Sequence, residues 1–404
     1  MKYIETLNYI HSLGAFSHKA SLERITAVCQ KLGNPQNKFK AIHIAGTNGK
    51  GSVSTFISTA LKAAGYKVGT FVSPYIVDFC ERIQINGEYI SREDLCRISQ
   101  KVIDTNIELT EFEFITTVGF LYFSENKIDI AVLETGLGGR FDATNVIDAP
   151  LVSVITKIGF DHTAILGDTI KQIAKEKCGI IKNNTVVTTF TQPQEALDVI
   201  KMSAPKLIIP IKNDLNNVNV SVLGNSFTYK NINYKTNLGG KYQIENAIVA
   251  IETLKSSGLG ITEDNIKQGL LNAFIPARLE VLSQDPLIVI DGAHNPDGAD
   301  ALRAALKEYK NVTAIVGVMR DKNYDDVLAK TLPLCKSVIC VTPNVPRALP
   351  AKELSAVARQ YCENVFIADN LYDALNIAKQ NSNPIFVFGS LYLASEMRPL
   401  LNDK

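Results

Sequence analysis

His43-Ile44-Ala45-Gly46-Thr47-Asn48-Gly49-Lys50-Gly51-Ser52 is the stretch that decides the fold. Ala41 to Ala45 is an apolar run of strand length. Val53, Phe56, Ile57, Ala60, Leu61 and Ala64 then recur at helical spacing up to Gly65. A strand that passes through a glycine-rich turn into a helix is an anion site. Glycines let backbone N–H groups close around phosphate oxygens, and the helix N-terminus adds partial positive charge. Lys50 is placed to reach the outer phosphates and Ser52 to ligate magnesium. The spacing differs from the common G-x-x-x-x-G-K-[ST] loop, because Gly51 separates Lys50 from Ser52.

Around this loop the chain alternates strand-like and helix-like patterns. Lys67 to Phe71, Ile128 to Leu133 and Leu151 to Ile155 read as further buried strands, which predicts a parallel α/β sheet covered on both faces. Lys206 to Leu238 is rich in Asn and β-branched residues and reads as small antiparallel strands, before helices return at Asn246–Leu254 and Glu263–Ala273. A second α/β run starts near Asp285, with strands at Leu287–Ile290, Thr313–Val318, Ser337–Val341, Val365–Ala368 and Ile385–Phe388. This pattern predicts a Rossmann-like domain over 285–404, after an ATPase-type domain over 1–284.

Composition removes several classes of function. The net charge is +1, so no global field draws the chain to nucleic acid or to a membrane. Met1 leads into Lys2-Tyr3-Ile4-Glu5, which predicts no signal peptide, and no apolar run reaches the roughly 18 residues of a membrane span. The seven Cys are scattered, without a C-x-x-C pair, and read as reduced thiols of a cytoplasmic protein.

The other candidate residues stand at strand ends. Glu134 closes the strand from Ile128, where an acid beside a phosphate loop can hold magnesium. Alone it would read as a solvated charge, but Thr135-Gly136-Leu137-Gly138-Gly139-Arg140-Phe141-Asp142-Ala143-Thr144-Asn145 follows it. His162, one of only five His, comes after Asp161 near the end of the next strand, and Glu176-Lys177-Cys178-Gly179-Ile180 comes after that. Thr70-Phe71-Val72-Ser73-Pro74-Tyr75, Glu81-Arg82-Ile83 and Leu109-Thr110-Glu111-Phe112-Glu113 complete the first part. Tyr242 to Ala247, Pro276-Ala277-Arg278-Leu279-Glu280, Asp291-Gly292-Ala293-His294-Asn295-Pro296, Asp321-Lys322-Asn323, Asn344 to Leu349 and Gly389-Ser390-Leu391 complete the second. Together these segments resemble the folylpolyglutamate synthase/dihydrofolate synthase family of the Mur-ligase superfamily, from about Tyr3 to Leu393.

The resemblance implies a Mur-ligase-type central P-loop domain and a C-terminal Rossmann-like domain. It also implies an ATP-dependent carboxylate–amine ligase that adds L-glutamate to a folate, or to dihydropteroate, through an acyl phosphate. By the same resemblance Thr47, Asn48, Gly49, Lys50, Gly51, Ser52, Asn246, Arg278, Asp291 and His294 contact ATP. Ser52, Ser73, Glu134, His162 and a carbamylated Lys177 hold two magnesium ions, with a monovalent cation as a further cofactor. An ammonium cannot bind magnesium, whereas a carbamate offers an anionic oxygen; the plain alternative is an ion-paired helix lysine. Lys50, Lys177, Asp142 and His294 are the catalytic candidates. Thr110, Glu111, Phe112, Glu113 and Phe141 are the folate candidates, although the two aromatic rings fit a helix–sheet core equally well. Arg347 is the candidate for the carboxylate of the incoming glutamate.

In this segment Lys19-Ala20-Ser21 stands where members that also make dihydrofolate have D-L-G, ahead of the shared Glu23-Arg24, and Tyr75 replaces a common His. Two other readings compete. A Mur-type ligase acting on a cell-wall precursor is opposed by the L-T-E-F-E and D-G-A-H-N-P segments. A non-catalytic nucleotide-binding regulator is opposed by the intact Lys50, Glu134 and His162. The expected protein is a cytoplasmic monomer.

Overall fold

The computed structural model describes residues 2–14, 21–76, 78–183, 185–380 and 382–402; Lys19 and Ala20 lie outside them. Contacts group the chain into two units, Met1–Leu215 with Glu245–Ala273, and Asn216–Ile244 with Phe274–Lys404.

The first unit is built on strands β1 (Lys40–Ala45), β2 (Val68–Phe71), β3 (Ile83–Ile85), β4 (Glu88–Tyr89), β5 (Ile130–Glu134), β6 (Val152–Ile155), β7 (Val186–Thr188) and β8 (Lys206–Ile208). Their order is β4-β3-β2-β5-β1-β6-β7-β8. β2, β5, β1, β6, β7 and β8 are parallel, and β3 and β4 add an antiparallel edge. Ile130 to Leu133 are fully buried, as a central strand covered on both faces requires. The register sets Ile44 beside Glu134, Phe71 beside Leu133 and Ala45 beside Ile155. The loops after β1, β2, β5 and β6 therefore leave one edge at nearly one level. The helix Glu111–Glu125 opens with a capping box. Glu113 donates its N–H to the Thr110 hydroxyl at 3.3 Å, and its carboxylate accepts the Thr110 N–H at 2.8 Å.

The second unit holds an antiparallel sheet of β9 (Leu215–Ser221), β10 (Gly224–Tyr229) and β11 (Ile232–Thr236). It also holds a six-stranded sheet of β12 (Glu280–Gln284), β13 (Leu287–Ile290), β14 (Val312–Val316), β15 (Cys335–Cys340), β16 (Val365–Ile367) and β17 (Ile385–Phe388), in the order β12-β13-β17-β14-β15-β16. All are parallel except β12, which forms a hairpin with β13. β17 inserts between β13 and β14, so the chain order reverses there. In open α/β sheets ligands bind at the carboxyl edge of such a point.

The structure corrects the sequence reading in two places. Lys206–Ile208 does not join the small antiparallel strands but extends the large sheet, closing a β–α–β unit with β7 through the helix Gln194–Ser203. The large sheet is not wholly parallel. Asn86 and Gly87, at φ +53° and +83°, make the tight turn of the β3–β4 hairpin, and the Asn-Gly pair is its signal. All seven cysteines are free, as expected. Among the described residues no helix is long and apolar enough to cross a membrane.

The helices Lys50–Ala63 and Glu263–Asn272 meet at Gly269, where an added Cβ would lie 2.4 Å from Ala60 Cα. Backbone cannot yield as a flexible side chain can. Gly269→Ala is expected to destabilise the fold by about 1–3 kcal/mol, read as a lower urea midpoint at unchanged slope.

Candidate active site

Hydrogen bonds from its own chain clamp the glycine-rich loop. Thr47 and Asn48 donate their N–H groups to Lys157 O at 2.9 and 3.1 Å, and the Thr47 hydroxyl bonds Gly159 O and N, each at 3.1 Å. A Cβ on Gly46 would lie 1.8 Å from Thr156 Oγ1. One on Gly49, whose φ is +90°, would lie 2.3 Å from Asn246 Oδ1. Gly49 caps the helix Lys50–Ala63 without a side-chain bond, so the first-turn N–H groups of Lys50, Gly51 and Ser52 face the loop's mouth as an anion cradle.

Two lysines converge on that loop. Lys50 Nζ donates to Gly46 O at 3.2 Å and to Thr47 O at 3.4 Å, and the buried Lys177 Nζ donates to Gly46 O at 2.8 Å. Burial, and then the nearby Lys50 charge, push the Lys177 amine down to about 7, against the pull of Asp161 and Asp142. On the other side of the loop the buried Glu134 brings Oε2 to 3.6 Å from where a Gly51 Cβ would stand. Lys50, Ser52, Glu134, Lys177 and Asn246 are thus gathered around one loop. Ser73, after β2, and His162, after β6, are brought to the same edge by strand topology. His162 has φ +49°, is 54% exposed at its side chain and stands 3.6 Å from Asp161.

Among the described residues no three His, Cys, Asp or Glu side chains converge as a metal cluster. The donor set is instead serine hydroxyls and a carboxylate beside a phosphate cradle. Such hard oxygens suit magnesium, which is usually held by one or two carboxylates plus substrate phosphates.

Asp142 is buried and fully engaged. Its Oδ2 accepts the N–H groups of Gly136 and Leu137 at 2.8 and 2.9 Å, and its Oδ1 accepts Thr144 N at 3.0 Å and the Thr144 hydroxyl. Burial raises its carboxyl above the usual range, against these four donors. Since Thr144 donates to Asp142, it accepts from His43 Nε2 at 2.8 Å, which sets that imidazole as the Nε2–H tautomer. Burial, helped by the Lys182 charge, drives His43 down to about 3 and keeps it neutral. Sequence reasoning quoted His43 and Thr144 without assigning this relay, because neither carries a signal apart from its partner.

The segments expected to take the acceptor are tied together. Arg24 meets Glu113 through Nη2 at 3.0 Å and Nε at 3.1 Å. Phe112 packs so closely on Gly136 that an added Cβ would lie 2.4 Å from its ring, and its centroid is 5.9 Å from that of Phe71. Phe141 is 47% exposed, with Arg140 near its face. Glu111 stands 3.6 Å from His11 and 4.0 Å from Arg82.

In the second unit, the buried Asp291 accepts the N–H groups of Leu279 and Ala293, both at 2.8 Å. It thereby joins the Arg278 turn to the turn carrying His294. Burial raises its carboxyl, and Arg278 opposes the rise. His294 Nδ1 bonds Gly292 O at 2.8 Å. Arg347 is held by Asp321 at 3.2 Å and by the Tyr392 hydroxyl at 3.0 Å, beside the Tyr392 ring; sequence reading had not noted Tyr392.

Comparison with known proteins agrees with this layout. The Mur ligase middle domain matches residues 44–254, and the Mur ligase, glutamate ligase domain matches residues 277–391. The chain is 38% identical to the folylpolyglutamate synthase of Lacticaseibacillus casei over 99% of both chains. It is 36% identical to the dihydrofolate synthase/folylpolyglutamate synthase of Bacillus subtilis, also over 99% of both. Its fold matches the Mycobacterium tuberculosis folylpolyglutamate synthase, solved with ADP and AMPPCP, at a TM-score of 0.86 and 29% identity over 100% of each chain. With a phosphate cradle at the edge of the first sheet, and end-to-end likeness to these proteins, the chain belongs to the folylpolyglutamate synthase/dihydrofolate synthase family of Mur ligases.

Proposed function

We propose that this chain uses ATP to join L-glutamate to the terminal carboxylate of a folate through an acyl phosphate. The observation that carries the reading is the pair of lysines over Gly46 beside the buried Glu134, a cluster of charge built for phosphoryl transfer. A carboxylate does not condense with an amine unaided. The acceptor carboxylate attacks the γ-phosphorus and ADP leaves; the amine of glutamate then attacks the acyl carbon and phosphate leaves.

In this reading the N–H groups of Lys50, Gly51 and Ser52, with the Lys50 ammonium, hold the phosphates and offset the charge that shifts between oxygens. Ser52, Ser73, Glu134, His162 and Lys177 would hold two magnesium ions, which when bound neutralise phosphoryl charge. Lys177 fits a carbamate because a buried amine lowered to about 7 has a neutral fraction able to attack carbon dioxide. Asp142 holds the loop that follows Glu134. Arg278, Asp291, Asn246 and His294 serve the nucleotide, and Arg347 the carboxylate of incoming glutamate. Thr110, Glu111, Phe112, Glu113 and Phe141 serve the acceptor, Glu113 by fixing Arg24 and Phe141 by offering an open ring. The near-neutral charge supports a protein that engages neither nucleic acid nor membrane, and the scattered thiols support a cytoplasmic one; a monomer is the state proposed.

Lys50→Ala is expected to lower turnover by about a hundredfold or more with an unchanged circular dichroism spectrum; near-normal turnover rejects the loop's role. Enzyme equilibrated with 13C-bicarbonate should show a carbamate carbon signal that Lys177→Ala lacks. The signal should grow in as pH rises through 7 and the amine loses its proton. Its absence from the active enzyme rejects the carbamate. Dihydropteroate, shorter by one glutamate, must be placed differently, and Lys19 stands where bifunctional relatives carry an acid. A lost partner for buried donors costs a few kcal/mol, so kcat/KM for tetrahydrofolate should exceed that for dihydropteroate by about a hundredfold. Parity between the two would overturn that preference.

A further inference from the structure

Arg82 is a mostly buried cation that makes only a long ion pair among the described residues. It closes the short helical turn Phe79–Arg82 before β3, and its side chain is only 11% exposed. Nε is buried with no hydrogen-bond partner among the described residues. The carboxylate paired with it, that of Glu111, stands at 4.0 Å and is shared with His11. Neighbouring Glu81 accepts the N–H groups of Ile76 and Asp78 at 2.7 and 2.8 Å. The rings of Tyr75 and Phe79 flank the guanidinium with centroids at 5.1 and 5.3 Å, which holds it in place without answering its N–H donors. Leaving a buried guanidinium so weakly paired is costly, and a carboxylate that accepts two parallel N–H bonds is the group that relieves it.

Its position says which carboxylate. Glu111 opens the acceptor helix, while the sheet register sets Ile83 beside Phe71 and Phe71 beside Leu133, and Val72 donates its N–H to Arg82 O at 3.0 Å, so Arg82 stands at the strand-end level of Ser73 and Glu134. A group at Arg82 thus stands between the segment read as the acceptor pocket and the residues read as the phosphoryl site. The terminal glutamate of a folate carries two carboxylates, three carbons apart, and only one is activated. We infer that Arg82 binds the non-reacting carboxylate of that glutamate and so selects which of the two receives the phosphoryl group. The inference rests on the folate reading above. It makes Arg82 a specificity residue that dihydropteroate, with a single carboxylate, does not use.

The test is a cycle in which both enzyme and substrate are changed. Wild type, Arg82→Gln and Arg82→Lys are each given tetrahydropteroylglutamate and the analogue in which 4-aminobutyrate replaces the glutamate. The analogue keeps the side-chain carboxylate and lacks the other. Wild type should prefer the two-carboxylate acceptor by at least about tenfold in kcat/KM, as one charge-assisted pair implies. In Arg82→Gln that ratio should fall to about one, in Arg82→Lys it should fall partway, and the KM for ATP should stay within about twofold. A ratio taken within one preparation does not depend on how much of the variant folds. Should Arg82→Gln not fold at all, the wild-type ratio and Arg82→Lys decide. A wild-type ratio near one, or an undiminished ratio in the variants, overturns the inference. A loss that appears in the KM for ATP also overturns it and gives Arg82 to the nucleotide. No ligated product from wild type with either acceptor would instead reject the folate reading itself.

Discussion

Two ammonium groups meet at a single carbonyl oxygen, that of Gly46, and the site is arranged around that meeting. Lysines at such range repel each other, and burial strengthens the repulsion by removing water. The chain tolerates it because the same spot sees the open end of the helix from Lys50 and is built to be filled by negative charge. The Lys177 amine is lowered first by its burial and then by the Lys50 charge. Gly46 can offer its oxygen this way only because its Cα lies against Thr156, where a side chain has no room. One contact just past the ends of β1 and β6 thereby fixes the carbonyl on which the two amines converge.

The loop after β5 is governed by a different force, hydrogen bonding out of water. His43, Thr144 and Asp142 form a chain whose proton positions are fixed by donor count, and it ends on the Gly136 and Leu137 amides. A neutral imidazole and a saturated carboxylate need no counter-charge from solvent. The loop therefore keeps its shape while charge beside it changes during phosphoryl transfer. Asp142 anchors the arrangement, because its two oxygens hold the Gly136, Leu137 and Thr144 amides and the Thr144 hydroxyl at once.

How far the sequence could be read follows from the range of each signal. The β1–loop–helix unit was legible because its glycines, apolar spacing and lysine all lie within a few residues. The Leu287–Ile290 and Ile385–Phe388 strands were legible for the same reason. The short strand Glu280–Gln284 was not, since it exists only as the antiparallel partner of β13. Lys206–Ile208 was assigned to the wrong sheet because its composition resembles that of the strands that follow it. Among site residues, Glu134 and Lys177 could be picked out by motif. The character of Arg82, by contrast, depends on Tyr75, Phe79 and Glu111 standing where they do, and the chain brings them together only on folding. Asp142 shows the same limit, since the motif marks the residue but not that its oxygens face inward.

The contact between Phe112 and Gly136 links two parts of the site. The ring rests where residue 136 would carry a side chain, and Glu134 lies two residues before it on the same strand-end. A ring seated so closely leaves no room for residue 136 to shift toward it, so the packing of Phe112 and the path of the chain after Glu134 are set together. Coupling of this kind is reciprocal by thermodynamic necessity. If filling the acceptor pocket tightens the hold on nucleotide, the nucleotide must tighten the hold on acceptor by the same factor. On the roles proposed above, the side chain missing at residue 136 is what lets the acceptor ring and the strand-end of Glu134 share one contact.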